Sequence, residues 1–307
     1  MRTTEPSKSS IALTLLLSLL TVACSETDTK PESDVNPQKP KVLVIGWDGV
    51  RADAVQVADT PTLDAAVASG AYTFEASTQT ETFTVSAPGW LSLLTGVQPS
   101  KHKVYSNEDF TNHSADFPTM LARAKHDLGL TTAGACDWEM LCALILEAEE
   151  SLDISEVGDE TEVTESMERW LAEDDYDLHF IHLDLPDHAG HEHGFSPDIT
   201  PYLEAIELSD TLSGRLLAAI ESRPARAQER WLIAMVTDHG GNMNGHGDLD
   251  QANRRVHFVL RGDGVQAGPL PGDGSVTQMD LLPTVLTYLG AEIDPTWQID
   301  GQPVGLK

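Results

Sequence analysis

Three short apolar segments of this chain each lead into aspartate, and glycine or histidine follows within a few residues. The first ends at Asp48, the second passes through Asp184 to Asp187, and the third ends at Asp238. In an open parallel sheet, ligands bind beyond the carboxyl ends of the strands, so acidic side chains from three such ends can meet in one crevice. This pattern predicts a metal site at one edge of a parallel sheet.

Strand patterns and helix patterns alternate along most of the chain. Besides the first strand, strands are predicted at residues 71–76, 130–135, 178–185, 231–237 and 256–261. Helices are predicted at residues 61–70, 88–96, 117–126, 160–174, 199–222 and 277–289. The alternation implies an α/β fold with a central, mostly parallel sheet and helices on both faces.

The chain is strongly acidic, with 49 acidic against 19 basic residues and a formal net charge of -30. Such a surface repels nucleic acid and anionic lipid, so we predict no nucleic-acid binding surface. Most of these charges are expected to be solvated and to have no function of their own. An anionic substrate would therefore need a local positive centre, and a pair of divalent cations would supply one.

The N-terminus has the pattern of an export signal. Basic residues precede an apolar run at residues 11–23, which is too short to span a bilayer and fits the core of a signal peptide. We therefore predict a signal peptide at residues 1–23 and a flexible polar tether at 24–40. One catalytic domain is predicted at 41–307.

The end of the apolar run resembles a bacterial lipobox, in which Cys24 becomes the acylated first residue of the mature chain. Thr21 stands where that motif usually has leucine, so plain cleavage is the alternative. The expected location is the periplasm or cell envelope, and any membrane contact would be made only through a lipid on Cys24.

Two further cysteines, Cys136 and Cys142, are six residues apart. They could form a small disulfide in an oxidising compartment, or remain buried thiols in an apolar helical segment. A metal site made by these cysteines is not expected, because no second cysteine pair is present.

Ser86 stands just before a predicted helix. Free backbone N–H groups and the helix dipole favour an anion there, so a phosphoryl group attacked by Ser86 could be held by the amide of Ala87 or its neighbours. A simple N-cap serine is the alternative reading.

Two aspartate–histidine pairs follow strand patterns. Asp187 and His191 are four residues apart, and Asp238 and His239 are adjacent. Carboxylate and imidazole together are suitable zinc ligands, and two such pairs allow a two-metal centre. A single pair could also be a hydrogen-bonded loop.

In their order, these motifs resemble the alkaline phosphatase superfamily, in particular its nucleotide pyrophosphatase/phosphodiesterase and sulfatase-like branches. The resemblance covers nearly all of residues 41–300. The motifs that carry it are residues 46–49, 86–96, 186–191, 237–240 and 280–286. It implies an alkaline-phosphatase-like α/β fold.

The resemblance also implies two divalent ions, expected to be zinc. One ion would be held by Asp48, Ser86, Asp238 and His239. The other would be held by Asp187, His191 and His246, with His257 as a rival of His246. Asn107 matches an asparagine that donates a hydrogen bond to a phosphate oxygen in the family, although Lys103 replaces the glycine that is usual nearby. His102 is expected to be structural. Four further histidines are expected to lie around the ligands or at the surface: His179, His182, His188 and His193.

The expected activity is hydrolysis of a small phosphorylated ester, with Ser86 as the covalent nucleophile at two metals. Monoester and diester substrates both remain open. The alternatives are a sulfate or phosphonate ester hydrolase of the same superfamily, and an inactive ligand-binding lipoprotein. Trp90 stands where sulfatases of the superfamily have arginine, which disfavours conversion of Ser86 to formylglycine.

Overall fold

The computed structural model of the protein describes Met1 and residues 38–307. The predicted signal peptide (1–23), Cys24 and the predicted tether up to residue 37 lie outside the described residues. The first strand begins at Lys39, two residues before the predicted start of the domain. Among the described residues there is no helix with the length and apolar character needed to cross a membrane.

The described residues contain eight strands. They are β1 (Lys39–Trp47), β2 (Ala71–Ser77), β3 (Thr132–Cys136), β4 (Ile154–Val157), β5 (Leu178–Leu183), β6 (Glu229–Val236), β7 (Arg255–Gly262) and β8 (Gly268–Pro269).

The same part of the chain contains eleven α-helices. They are α1 (Ala52–Val55), α2 (Pro61–Ser69), α3 (Ser86–Thr95), α4 (Pro99–His102), α5 (Met120–His126), α6 (Glu139–Leu141), α7 (Glu160–Glu173), α8 (Leu185–His193), α9 (Thr200–Glu221), α10 (Gln251–Arg254) and α11 (Leu281–Tyr288). A π-helical turn follows α6 at Cys142–Leu146. Short 3-10 turns lie at Phe110–Asn112, Arg226–Gln228, Gln278–Asp280 and Pro295–Trp297.

The eight strands form one sheet in the order β4-β3-β5-β1-β6-β7-β2-β8. The pairs from β4 to β6 are parallel, whereas β7 is antiparallel to both β6 and β2. The prediction of a mostly parallel sheet is therefore confirmed. The central strand β1 lies between β5 and β6, and these three strands bring the functional motifs together.

Each face of the sheet has its own apolar core. Alternate residues of β1 face opposite ways: Val42 and Val44 pack with α3, α5 and α11, while Leu43 and Ile45 pack with α7 and α9. Because side chains alternate along a strand, a strand with no polar residue at these positions must be covered on both sides. The predicted helices on both faces are confirmed.

Three local features differ from the sequence predictions or complete them. Strand β5 ends at Leu183, not at residue 185, because helix α8 begins at Leu185 with Pro186 in its first turn, where a missing N–H costs nothing. Helix α3 begins at Ser86, two residues earlier than predicted. Cys136 and Cys142 form a disulfide that joins the end of β3 to the π-helical turn, so they are not free thiols.

Candidate metal centre

The functional motifs meet at the carboxyl edge of three neighbouring parallel strands. Asp48 follows β1 directly, Asp184 follows β5, and Asp238 lies two residues beyond β6. The register pairs Gly46 of β1 with His182 of β5, so both strands end at the same level of the sheet. The convergence of strand-end aspartates follows from this arrangement.

The first predicted ligand set is brought together in the structure. His239 Nε2 lies 3.4 Å from Asp48 Oδ1, 3.4 Å from Asp238 Oδ2 and 3.3 Å from Ser86 Oγ. Asp48, Asp238 and His239 are at most 1 % exposed. Four side chains from three distant segments thus surround one point.

The second predicted set lies beside the first. Asp187 and His191 are one turn apart on α8, with Asp187 Oδ2 3.3 Å from His191 Nε2. His246 approaches from the loop after β6, and its Nε2 is 3.1 Å from His191 Nε2 and 3.7 Å from Asp187 Oδ1. The His246 ring stacks on that of His239, with centroids 4.0 Å apart, so the two sets are contiguous.

The three histidines of these sets share one orientation. His239, His191 and His246 each direct Nδ1 at a main-chain carbonyl oxygen, which can only accept a hydrogen bond. The acceptors are the carbonyls of Gly240, Asn244 and Thr84, at 2.7, 3.1 and 3.0 Å respectively. We therefore assign the proton to Nδ1 in each neutral ring, which leaves the Nε2 lone pairs facing the carboxylates. Metal-binding histidines are oriented in this way by an outer hydrogen bond.

Three carboxylate oxygens of the centre are buried and have no hydrogen-bond partner. They are Asp48 Oδ1, Asp187 Oδ1 and Asp238 Oδ2. Buried polar atoms are nearly always paired, and buried carboxylates that are not paired with a cation are costly. These orphaned oxygens and the inward Nε2 lone pairs fit divalent cations. Zinc fits best, since the donors are imidazole and carboxylate.

The buried carboxylates of the centre also repel one another. Burial raises the pKa of Asp238 well above its usual value, and the nearby carboxylates of Asp48 and Asp187 add to this effect. Burial also acts to raise the pKa of Asp48, but a hydrogen bond from His182 and the proximity of His239 outweigh it and lower that pKa. Positive charge placed among these carboxylates would relieve the repulsion.

The two histidines of the second set have pKa values that are shifted in opposite directions. The hydrogen bond to Asp187 raises the pKa of His191 to about 9, against the effect of its partial burial. Burial lowers the pKa of His246 to about 4, and the neighbouring His239 contributes in the same direction. His246 is therefore neutral at pH 7, whereas His191 must lose a proton before it can bind a metal.

Ser86 and Asn107 lie side by side in the cleft over the centre. Ser86 is the first residue of α3 and follows the N-cap Val85, so it is not the N-cap, and its hydroxyl contacts His239 Nε2. The N–H of Ala87, one of the amides predicted to hold a phosphoryl group, donates to Asn107 Oδ1 at 2.9 Å. Since its oxygen is occupied, Asn107 has its Nδ2 group left to donate. Lys103 adopts a φ of 72°, in the left-handed region that favours the glycine it replaces.

An outer layer holds Asp48 in place. Asp48 Oδ2 accepts hydrogen bonds from Trp90 Nε1 at 2.7 Å and from His182 Nε2 at 3.0 Å. Gly49 has a φ of 68°, and a Cβ there would lie 2.5 Å from Asp187 Oδ1, so the Asp-Gly sequence lets the two ligand sets approach. The remaining carboxylate oxygen of Asp48 is thereby aimed at the centre.

Some of these contributions were missed from sequence alone. Sequence patterns indicate neither the hydrogen bond from Trp90 to Asp48 nor the one from His182. Alternation along β5 places His179 and His182 on opposite faces, but only the register with β1 shows that His182 is the one beside Asp48. Asp184 and Trp138 line the same cleft, whose volume is about 230 Å³. Burial raises the pKa of Asp184 to about 7, with the Asp48 carboxylate as the next cause.

The other histidines lie outside both sets. His257 is buried in β7 near Trp47, so His246 and not His257 approaches Asp187. His179 and His102 are buried and bonded to the Val42 carbonyl and to Ser92 respectively. The side chains of His188 and His193 are exposed, and His188 contacts Asp184 at 3.2 Å.

Comparison with known proteins supports the resemblance. The family model described as "Type I phosphodiesterase / nucleotide pyrophosphatase" matches residues 42–269, which is more than half of the chain. Among solved structures, murine ectonucleotide pyrophosphatase/phosphodiesterase 5, an inactive variant in complex with AMP, is 15 % identical with a TM-score of 0.68. The alignment covers 84 % of this chain and 96 % of that one.

Two other similar structures come from different branches of the superfamily. A 2-O GAG sulfatase is 14 % identical with a TM-score of 0.70, over 87 % of this chain and 73 % of that one. The phosphonate monoester hydrolase of Silicibacter pomeroyi is 17 % identical with a TM-score of 0.62, over 87 % and 76 %. At these identities the structures establish a shared alkaline-phosphatase-like fold and nothing more specific.

Proposed function

Because this chain belongs to the type I phosphodiesterase/nucleotide pyrophosphatase family, we propose that it hydrolyses phosphoric esters at two divalent ions. Zinc is the expected metal, and Ser86 is the proposed covalent nucleophile. Both ester classes, diesters and monoesters, are candidate substrates, and the family description favours diesters.

One observation carries this proposal. Once His191 has lost its proton, three histidine Nε2 lone pairs and three orphaned carboxylate oxygens face a common interior, and the Ser86 hydroxyl lies at its edge. Electron pairs that face one another repel in the absence of a cation. The arrangement suits two neighbouring cations, one near Ser86 and one near His191.

Bound cations would supply the positive field that favours the Ser86 alkoxide and the developing charge on the leaving oxygen. The role of the chain's own residues is to position the reacting groups. Helix α3 fixes Ser86 at its first residue, where Oγ can attack phosphorus in line as the bond to the leaving alcohol breaks. The leaving oxygen takes a proton, and water then cleaves the Ser86 phosphoester and restores the hydroxyl. Two successive displacements predict net retention at phosphorus.

Asn107 would orient the substrate in this scheme. Its Oδ1 is fixed by the N–H of Ala87, so its Nδ2 can donate to a non-bridging phosphate oxygen next to Ser86. Trp90 weighs against the sulfatase alternative. Its indole is fully buried and bound to Asp48, so neither space nor charge is left there for the arginine of the sulfatase motif.

The test is to replace Ser86 by alanine in the metal-loaded protein. Turnover of bis-p-nitrophenyl phosphate and p-nitrophenyl phosphate should fall by roughly 10³-fold or more, as for other nucleophile deletions. Zinc content should be unchanged. Ser86→Thr, which keeps a hydroxyl, serves as the control and should retain turnover. Undiminished turnover by Ser86→Ala would remove Ser86 from the mechanism, and a wild-type protein that binds these esters without cleaving them would favour the inactive alternative.

We also propose export and lipid anchoring at Cys24, on the basis of the leader and the lipobox resemblance. The expected result is that the mature chain begins at Cys24 and carries a labelled fatty acid in the envelope fraction. Cys24→Ser should abolish the label. A mature chain that begins elsewhere would contradict anchoring but not export.

A further inference from the structure

A second cavity opens beside the metal centre. We call it the side groove; its volume is about 430 Å³, and its walls include Phe83, Tyr105, Asn107, Glu108, His246 and Asp248. Asn107 and His246 also line the cleft above Ser86. A substrate with its phosphoryl group next to Ser86 can therefore extend a substituent into the side groove.

The walls of the side groove are tied to the reaction centre. Phe83, Tyr105 and Asp248 are each two or three residues from a residue of the centre. The segments are joined by hydrogen bonds from Thr84 Oγ1 to the Asp248 carbonyl at 2.8 Å and from Thr82 Oγ1 to the Tyr105 carbonyl at 3.1 Å. The groove is thus held at a fixed place relative to Ser86, as specificity requires.

Two aromatic rings border the groove and are open to solvent. Phe83 is 66 % exposed and Tyr105 is 40 % exposed. Large aromatic side chains are usually buried, and their exposure on the wall of a concave site next to a nucleophile marks a ligand surface. Their π faces can contact either an apolar group or a cation.

The charge of the groove decides between these two ligands. Glu108 and Asp248 stand on its rim, both exposed, and within residues 38–307 neither carboxylate pairs with a lysine, arginine or histidine. No lysine or arginine lines the groove. The groove is therefore negative, which repels a second phosphate and attracts a cation.

We propose that the side groove binds an alkylammonium group, so that the preferred substrates are phosphoric esters of cationic alcohols such as choline. The phosphoryl group binds at the centre while the ammonium group contacts Phe83 and Tyr105 between Glu108 and Asp248. Aromatic faces combined with carboxylates are the chemistry that recognises quaternary ammonium ligands. This inference rests on the proposed function and specifies the substrate class.

Two esters that differ in one atom test this. p-Nitrophenyl phosphocholine and p-nitrophenyl 3,3-dimethylbutyl phosphate share shape and leaving group, but only the first carries a positive nitrogen. With the metal-loaded full chain, kcat/KM for the choline ester should be roughly tenfold higher, mainly through a lower KM, because cation–π and carboxylate contacts add. Added salt should lower this ratio.

Variants show whether the groove causes the preference. Glu108→Gln with Asp248→Asn should lower the ratio at least about threefold, and Phe83→Leu, which keeps apolar area but removes the π face, should lower it by a similar factor. The matched control is Glu165→Gln with Glu204→Gln, which changes the net charge equally at exposed sites on α7 and α9. The control should keep the wild-type ratio.

The outcomes separate this inference from the proposed function. Hydrolysis of both esters at a ratio near one, or equal loss of the ratio in the control, overturns the cation subsite and leaves the hydrolase intact. If neither ester is cleaved, the proposed function fails. In that case the cation subsite is tested by binding alone, with calorimetry of phosphocholine and of 3,3-dimethylbutyl phosphate on the metal-loaded protein. Equal affinities would overturn the cation subsite.

Discussion

The two halves of the centre are built differently. The strand half, formed by Asp48, Asp238 and His239, follows the ends of β1 and β6 and is at most 1 % exposed. The helix half, formed by Asp187, His191 and His246, comes from α8 and a loop, and the His191 side chain is 46 % exposed. A sheet edge fixes the first set through the register of its strands, whereas the second set depends on one helical turn and one loop.

This difference predicts unequal affinities. A buried site binds its ion more tightly than a site that is open to solvent, because its ligands have less freedom to lose on binding. We therefore expect the strand half to retain its ion when the helix half has lost its own.

The largest effect is expected for Asp238→Asn. It replaces a fully buried carboxylate that faces Asp48 and His239 by an amide, which cannot supply a negative charge to a cation. Activity on p-nitrophenyl esters should fall by more than the roughly 100-fold that loss of an outer-shell partner costs, and bound zinc should fall with it. Elemental analysis beside the kinetic assay checks both. Wild-type zinc content in this variant would contradict the role of Asp238.

A smaller effect is expected for His191→Ala in the helix half. One ion should be lost or weakened while the other stays, so zinc content should fall towards half, and a chelator should extract the wild-type protein in two phases. Zinc re-addition at high concentration should restore part of the activity, because Asp187 and His246 remain. Extraction of both ions in a single phase would contradict the proposal that the two halves differ in metal affinity.

A still smaller loss is expected for Trp90→Phe. The ring volume is largely kept, but the hydrogen bond to Asp48 Oδ2 at 2.7 Å disappears. Outer-shell partners of this kind contribute about 10–100-fold in metal affinity or activity. Trp297→Phe, a tryptophan distant from the centre in sequence and stacked on Arg123, is the control. Full activity of Trp90→Phe at limiting zinc would show that Asp48 needs no such support.

Metal binding in the helix half should depend on pH. In the metal-free protein the pKa of His191 is raised to about 9, chiefly by the hydrogen bond with Asp187, and the ion must displace that proton. Affinity should therefore rise with pH up to about 9 and fall by up to about tenfold per pH unit below it. Zinc titrations at several pH values test this, and His191→Asn should flatten the profile. A profile that falls as pH rises would have the wrong sign.

The smallest effect on activity is expected from removing the Cys136–Cys142 disulfide. Replacement of both cysteines by alanine should lower the free energy of unfolding by about 2 kcal/mol, since the closed loop is short. Urea unfolding measures this loss. Turnover below the unfolding transition should stay within about twofold of wild type, because neither cysteine belongs to the metal centre. A large loss of activity in the fully folded variant would show that the bridge positions the cleft.

The two halves also differ in how well the sequence predicted them. Asp48, Asp238 and His239 follow apolar segments with strand patterns, and the edge of a parallel sheet brings such residues together without further information. The ligand residues of the helix half were predicted, but helix α8, which carries two of them, was not. Residues 186–194 contain proline and two glycines, which concealed α8, although Asp187 and His191 have the spacing of one helical turn.

Contacts that depend on register or on loop geometry were beyond the sequence. The pairing of Gly46 with His182 places His182 on Asp48, and nothing in β5 alone indicates which of its two histidines faces the centre. The hydrogen bond between Ala87 and Asn107 joins a helix start to a loop 20 residues away. Such contacts are set by tertiary packing, which local patterns do not encode.

The most direct measurement is anomalous X-ray diffraction at the zinc absorption edge on crystals of the zinc-loaded protein. Two peaks about 4 Å apart are expected, one bounded by Asp48, Asp238, His239 and the Ser86 hydroxyl, the other by Asp187, His191 and His246. A single peak, or peaks away from these side chains, would contradict the two-metal centre.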